Sequence, residues 1–204
     1  MRAVVDADEL AGWVRARAAG RPRYLLGLAG PPGSGKSTLA ERLARSLGAP
    51  VAPMDGFHRS NAELDRLGLR DVKGAPATFD AGGFVDAART MRAGLDVSLP
   101  TFDRDLDEPR AGGVHVAGSA PIVVVEGNYL LLAEPPWAAL ADLLDDVAFL
   151  DVDPGVRVER LVARHVAHGR GEDEARAFVL RSDEANAALV DATRHRATLL
   201  VAGR

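Results

Sequence analysis

The chain has 204 residues, 47% of them hydrophobic, which suffices for one substantial core and is too short for two full domains. A formal charge of −4 excludes a general nucleic-acid-binding surface, while a local arginine cluster still suits a phosphorylated small molecule. The absence of cysteine excludes disulfides, thiolate metal sites and a cysteine nucleophile; with neither a leader-like start nor an apolar run of about 18 residues, a soluble cytoplasmic protein is the default expectation.

In chain order, Asp6 followed by Glu9 resembles a capping box, and Leu10, Trp13 and Val14 share one helical face before Gly20 and Pro22, predicting a leading helix over 6–19. Tyr24 to Ala29 reads as a buried parallel strand. Next come Gly30, Pro31, Pro32, Gly33, Ser34, Gly35, Lys36, Ser37 and Thr38, a full G-x-x-x-x-G-K-[ST] (Walker A) pattern, and Leu39, Leu43 and Leu47 then recur at helical spacing until Gly48 and Pro50. Strand, glycine loop and helix in that order form a cradle for a nucleoside triphosphate, because the glycines let successive N–H groups turn toward phosphate oxygens at a helix N-terminus. Lys36 would reach the outer phosphates and the Ser37 hydroxyl would take one position on Mg²⁺. Of the 25 basic residues only two are lysines, Lys36 and Lys73, and one of them sits in this loop.

Farther along, Val51 to Met54 reads as a brief strand ending at the polar Asp55-Gly56-Phe57-His58, with a weak helical pattern around Ala62 to Leu67. Residues 68–83 look like a long ordered loop and Phe84 to Met91 like a helix. Leu99 to Phe102 and Val114 to Val116 could pair around a charged turn, and Ile122 to Val125 is a continuous apolar strand ending in Glu126. Trp137 to Leu144 reads as helix, Val147 to Val152 as strand, Val156 to His168 and Glu172 to Val190 as helices, and Thr198 to Ala202 as a last strand. The alternation predicts an α/β fold, a three-layer sandwich with a mostly parallel central sheet and a small helical lid, as one domain over residues 1–204. Ligands of such sheets lie beyond the strand C-terminal ends, where the loop, Asp55 and Glu126 would converge.

Two carboxylates at one phosphate site suggest a division of labour, with Asp55 as the base for an attacking hydroxyl and Glu126 as the metal organiser beside Ser37. The helix from Val156 places Arg157, Arg160, Arg164 and His168 along one side. Gly169-Arg170-Gly171 then breaks it, so the region about 157–175 reads as a hinged lid with Arg164 and Arg170 as the phosphate contacts. An ordinary solvated helix face is the favoured reading of Arg157 and Arg160, and a core position that of His165. Thr193 to Arg196, before the last strand, is one place where a base-side loop could lie.

Taken together, "GPPGSGKST", "MDGFH", "GAPATFD", "LPTFDR", "VVVEGNYLL" and "RHVAHGR" resemble the family that contains uridine kinase, phosphoribulokinase and bacterial pantothenate kinase, closest to its sugar- or nucleoside-kinase-like members. The resemblance spans about residues 23 to 202. It implies ATP as the donor, Asp55 as the catalytic aspartate, Asp80 as an acid on substrate hydroxyls, Arg164 and Arg170 as lid arginines and Glu126 as the acid after a core strand. Uridine kinases usually carry tyrosine and histidine where this chain has Phe102, Asp103 and Arg104, which argues against uridine or cytidine. His58, Lys73, Phe102, Arg104 and Asn186 complete the expected acceptor contacts.

The expected activity is therefore transfer of the γ-phosphoryl group of ATP, with Mg²⁺, to a hydroxyl of a nucleoside, sugar or pantothenate-like metabolite. Lys36 stabilises charge and Asp55, Arg164 and Arg170 act on the reacting groups. The expected partner is that small-molecule acceptor, with no nucleic acid and no membrane, and a homodimer is left open. A P-loop ATPase acting as a nucleotide-dependent switch or accessory protein is the alternative; the absence of an N-K-x-D pattern weakens a GTPase version of it.

Overall fold

The structure, a computed structural model, describes residues 2–4 and 7–203, with side chains from residue 9 onward. Asp6 of the expected capping box lies outside the described residues. Short apolar runs bounded by turn residues build the centre, since a strand covered on both faces cannot alternate with polar residues. After β1 (Arg2–Val4) and α1 (Ala7–Ala18), the first such run is β2 (Tyr24–Ala29). α2 (Lys36–Leu47) and β3 (Val51–Pro53) follow, then α3 (Asn61–Leu67), α4 (Ala81–Arg92) and a hairpin of β4 (Val97–Asp103) and β5 (Glu108–Val116). β6 (Ile122–Glu126), α5 (Leu140–Leu143), β7 (Asp146–Asp151), α6 (Pro154–Ala167), α7 (Glu172–Phe178), α8 (Glu184–Asp191) and β8 (Leu199–Ala202) complete the chain.

The main sheet has the order β1-β8-β7-β2-β6-β3 and is parallel throughout. Its strand residues alternate between two cores. Leu25, Val123 and Val125 pack with Phe84, Met91, Trp137 and Leu140 on one face. Tyr24, Leu26, Leu28 and Val124 pack with Leu10, Val14, Leu39 and Leu43 on the other. The chain leaves β2 toward β3 on one side and later fills β7 and β8 on the other, so β2 lies at the switch point where parallel sheets open a crevice. Apart from both cores, Leu161, Val162, Ala175 and Val179 form a small cluster of their own between α6 and the helices after it.

Several expected elements are corrected. The three-residue β1 has too little sequence for a periodic signal and is defined by its pairing with β8. α4 begins at Ala81 rather than Phe84, and residues 68–83 carry two 3₁₀ turns, Arg70–Val72 and Pro76–Thr78. The helix expected over Glu172 to Val190 is interrupted by a π-helical turn, Val179–Asp183, a local widening often found at functional sites. Gly48 ends α2 in the left-handed conformation at φ +63°, as its position predicts.

Candidate active site

The glycine loop joins β2 to α2, and its backbone adopts what only glycine tolerates well. Gly33 has φ +75° and Gly35 φ +88°. A Cβ on Gly33 would lie 2.7 Å from the Arg157 carbonyl oxygen and 2.9 Å from Leu161 Cγ, so α6 packs directly on the loop. No side chain caps the α2 N-terminus, and the Ser34 hydroxyl is buried without a hydrogen-bond partner. Such uncompensated groups at a helix start suit phosphate oxygens. Lys36 Nζ folds back to donate to the Pro31 carbonyl at 3.0 Å. Burial pushes its ammonium below the ordinary lysine range, while Glu126 and then Asp55 pull it back up.

Glu126 closes β6 at 4% exposure. Burial and then the nearby Asp55 charge push its carboxyl up to about 7, opposed by Lys36, Arg104 and a hydrogen bond with the Ser37 hydroxyl. Among the described residues no group of three or more His, Cys, Asp and Glu side chains could hold a metal alone. A paired hydroxyl and carboxylate instead fits Mg²⁺, which takes one or two protein oxygens and fills its octahedron with phosphate and water.

Asp55 lies in the 3₁₀ turn Met54–Phe57 just after β3, held by the buried Met54 and Phe57. Its Oδ2 lies 3.3 Å from Arg104 Nη2 on the hairpin. His58 Nδ1 is 2.7 Å from the Asp55 carbonyl and so donates to it. The His58 ring packs against Phe79 and Phe102, with centroids 3.9 and 4.6 Å away, and burial lowers it below the ordinary histidine range against the pull of Asp55. Lys73 donates to Asn61 Oδ1 at 2.6 Å, pairs with Asp107 at 2.9 Å and lies 5.0 Å from the Phe102 ring. The loop that carries it is tied down by Tyr129, whose hydroxyl donates to the Gly74 carbonyl at 2.5 Å.

These segments surround one cleft of about 950 Å³. It brings together Pro32, Gly33, Gly35, Lys36, Ser37 and Thr38 with Asp55, His58, Lys73, Phe102, Arg104, Glu126, Arg164, Arg170 and Asn186. Gly30, Pro31 and Ser34 are buried behind that surface. Asp80 is not brought there: its carboxylate accepts the Gly83 N–H at 3.0 Å as the N-cap of α4, a use open to any aspartate before a helix. Thr193 to Arg196 also stays off the cleft lining, with Arg194 paired to Asp151 at the end of β7.

Two helix residues differ from their expected places. Arg157 is 2% exposed rather than solvated; Nη1 donates to the Pro32 carbonyl at 3.2 Å and to Glu184 Oε1 at 2.9 Å, so it props the phosphate loop from behind. Periodicity placed Arg157 with the polar stripe, but the phosphate loop and Glu184 at the start of α8 cover that end of it. His165 is not core; it lines the cleft, and Nε2 lies 3.1 Å from Asp183 Oδ2 in the π turn. Sequence reasoning missed Asp183 and Phe178, the latter stacked 4.0 Å from the Arg170 guanidinium, because the π turn that aims them has no sequence signature. Asn128, also on the lining, follows Glu126 closely enough to have been noticed.

With this geometry described, three comparisons bear on the chain. A model of the "Phosphoribulokinase / Uridine kinase family" matches residues 25–202. The uncharacterized protein YggC of Escherichia coli (strain K12) is 38% identical over 186 residues, covering 88% of this chain and 77% of YggC. A pantothenate kinase of Limosilactobacillus reuteri is 31% identical over 140 residues, which is 64% of this chain and 46% of that enzyme. The crystal structure of a "putative fructose transport system kinase" from Silicibacter sp. TM1040 superimposes with a TM-score of 0.90 at 38% identity, covering 97% of this chain and 99% of that one.

Proposed function

Because the chain belongs to the phosphoribulokinase/uridine kinase family and is a small-molecule kinase, we propose that it moves the γ-phosphoryl group of ATP to a hydroxyl of a nucleoside, sugar or pantothenate-like metabolite. The observation that carries this reading is the convergence of Lys36, Glu126 and Asp55 on one cleft, close enough for the Asp55 charge to act on both Lys36 and Glu126. Bound Mg-ATP supplies the transferable phosphoryl group and a divalent charge to steady it.

The protein's own groups do the rest. The amides from Gly33 to Ser37 and the Ser34 hydroxyl hold phosphate oxygens, and Lys36 leaves the Pro31 carbonyl to pair with the outer ones. Ser37 and Glu126 would hold Mg²⁺. Asp55 accepts the proton of the acceptor hydroxyl as the acceptor oxygen bonds to the γ-phosphorus and the bond from that phosphorus to the bridging oxygen breaks, with ADP leaving, while His58 and Phe102 wall the acceptor, with Lys73, Arg104 and Asn186 as polar contacts. Arg164 and Arg170, on the later turns of α6 and the break after it, close over the phosphates, neutralising charge and excluding water; of the lid expected over about 157–175, only the part beyond Leu161 moves, because Arg157 and Leu161 are packed on the phosphate loop.

The test is Asp55→Asn, assayed for acceptor-dependent ADP release across nucleosides, sugars, sugar phosphates and pantothenate. Transfer is expected to fall by about 10²- to 10⁴-fold while nucleotide affinity stays within a few-fold, the signature of a lost general base. Equal turnover in the variant would remove Asp55 from that role.

A further inference from the structure

On the reading of this cleft as a phosphotransfer site, Arg104 stands on its acceptor wall in an unfinished contact. It sits at the tip of the β4–β5 hairpin, and its single hydrogen bond among the described residues is the 3.3 Å approach of Nη2 to Asp55 Oδ2. Arginine–carboxylate pairs are usually shorter and often two-pronged. The side chain is 47% exposed, so most of the fork is uncommitted. Neighbouring cations are already matched: Lys73 pairs with Asp107 at 2.9 Å and Arg70 lies 3.6 Å from Asp65.

Across the cleft, the Arg164 guanidinium has no hydrogen-bond or ion-pair partner among the described residues. Both guanidinium groups line the same cleft, and although the Arg164 side chain reaches solvent, partial desolvation there and then the Arg104 charge hold it below the ordinary arginine range. Two guanidinium groups therefore repel each other beside the carboxylate that takes the proton.

We infer that the acceptor is an alcohol that also carries an anionic group, a carboxylate or a phosphate monoester, and that Arg104 is the residue that selects it. Docking the anion on the open prongs of the fork relieves the repulsion with Arg164 and draws Nη2 away from Asp55, leaving Oδ2 for the acceptor hydroxyl. A neutral polyol of the same size does neither, and it leaves the fork without a charged partner. Phe102 and His58, packed on each other at 4.6 Å by centroid, form one apolar wall along the carbon skeleton between hydroxyl and anion.

The experiment compares matched pairs, a sugar with its phosphate ester and a polyol with the corresponding hydroxy acid, in wild-type protein and in Arg104→Gln and Arg104→Lys. Mg-ATP turnover and calorimetric binding of each compound with Mg-ADP present are both measured. Wild type is expected to bind and phosphorylate only charged members. Arg104→Gln should raise the KM and Kd for them by about 10- to 100-fold, the worth of a charged hydrogen bond, with the KM for ATP within twofold. Arg104→Lys should recover part of the loss. Equal use of neutral and charged members overturns the inference. So does a change confined to the KM for ATP, which would place Arg104 on the transferred phosphoryl group. Charged members that bind through Arg104 without turnover would sink the kinase reading and leave Arg104 as the residue that selects an anionic ligand; loss of discrimination in binding would sink the inference about Arg104 alone.

Discussion

The phosphate-loop half of the cleft and the acceptor-and-lid half are built in different ways. The first is one continuous stretch, Gly30 to Leu47, packed through Leu39, Ala40 and Leu43 on one large core of the main sheet. The second is assembled from the turn at Asp55, the loop at Lys73, the hairpin tip and the helices after Asp153, with only a small four-residue cluster under the lid. Local chain chemistry suffices to form an anion cradle, whereas a site that must admit, enclose and release an acceptor needs parts that move independently. Parts with few buried apolar contacts open at low free-energy cost.

The strongest test of that contrast is Lys36→Ala. Removing a cation aimed at developing phosphate charge should cost about 10²- to 10³-fold in kcat and also weaken ATP binding, whereas Asp55→Asn affects transfer alone. Steady-state kinetics with nucleotide titration separates the two. Next, Glu184→Ala strips the carboxylate from the 2%-exposed Arg157. A buried charge left without its partner should cost about 3 kcal/mol in chemical denaturation, and because Arg157 also holds Pro32, the affinity for ATP should fall with it. An unchanged ATP affinity would show the two halves to be uncoupled through Arg157.

Leu161→Ala sharpens the comparison from the other side. In the small cluster it should cost about 2 kcal/mol, the low end for a buried leucine, because the site can collapse. The loss should appear as faster amide exchange across 154–183 with β2 and β6 still protected. Uniform loss of protection would mean that the lid folds as one unit with the sheet. Smallest of all, Asp80→Ala should cost about 1 kcal/mol of stability as a lost helix cap and leave the KM for every acceptor unchanged. A raised KM would return Asp80 to the site.

How much was legible before folding follows the same division. The β2 strand appears at Tyr24–Ala29 as its apolar run predicts, and Glu126 ends β6 as its place after four apolar residues requires. Both depend only on neighbours in sequence. Arg157 was misplaced because a 3.6-residue period tells which residues share a face and not what covers it. Likewise, the pairing of Asp183 with His165 depends on a π turn whose extra residue no propensity encodes.

By itself the sequence determined the α/β alternation, the glycine loop and the identity of the groups able to meet a triphosphate, since these arise from spacing over a few residues and from backbone freedom at Gly33 and Gly35. Tertiary structure alone decided that Asp80 stays off the cleft lining, that Arg157 supports the loop from behind, and that Arg104 reaches Asp55 across 49 positions of chain. Those outcomes depend on which surfaces meet when the crossovers close, and contact between distant segments is set by packing geometry rather than by any local pattern.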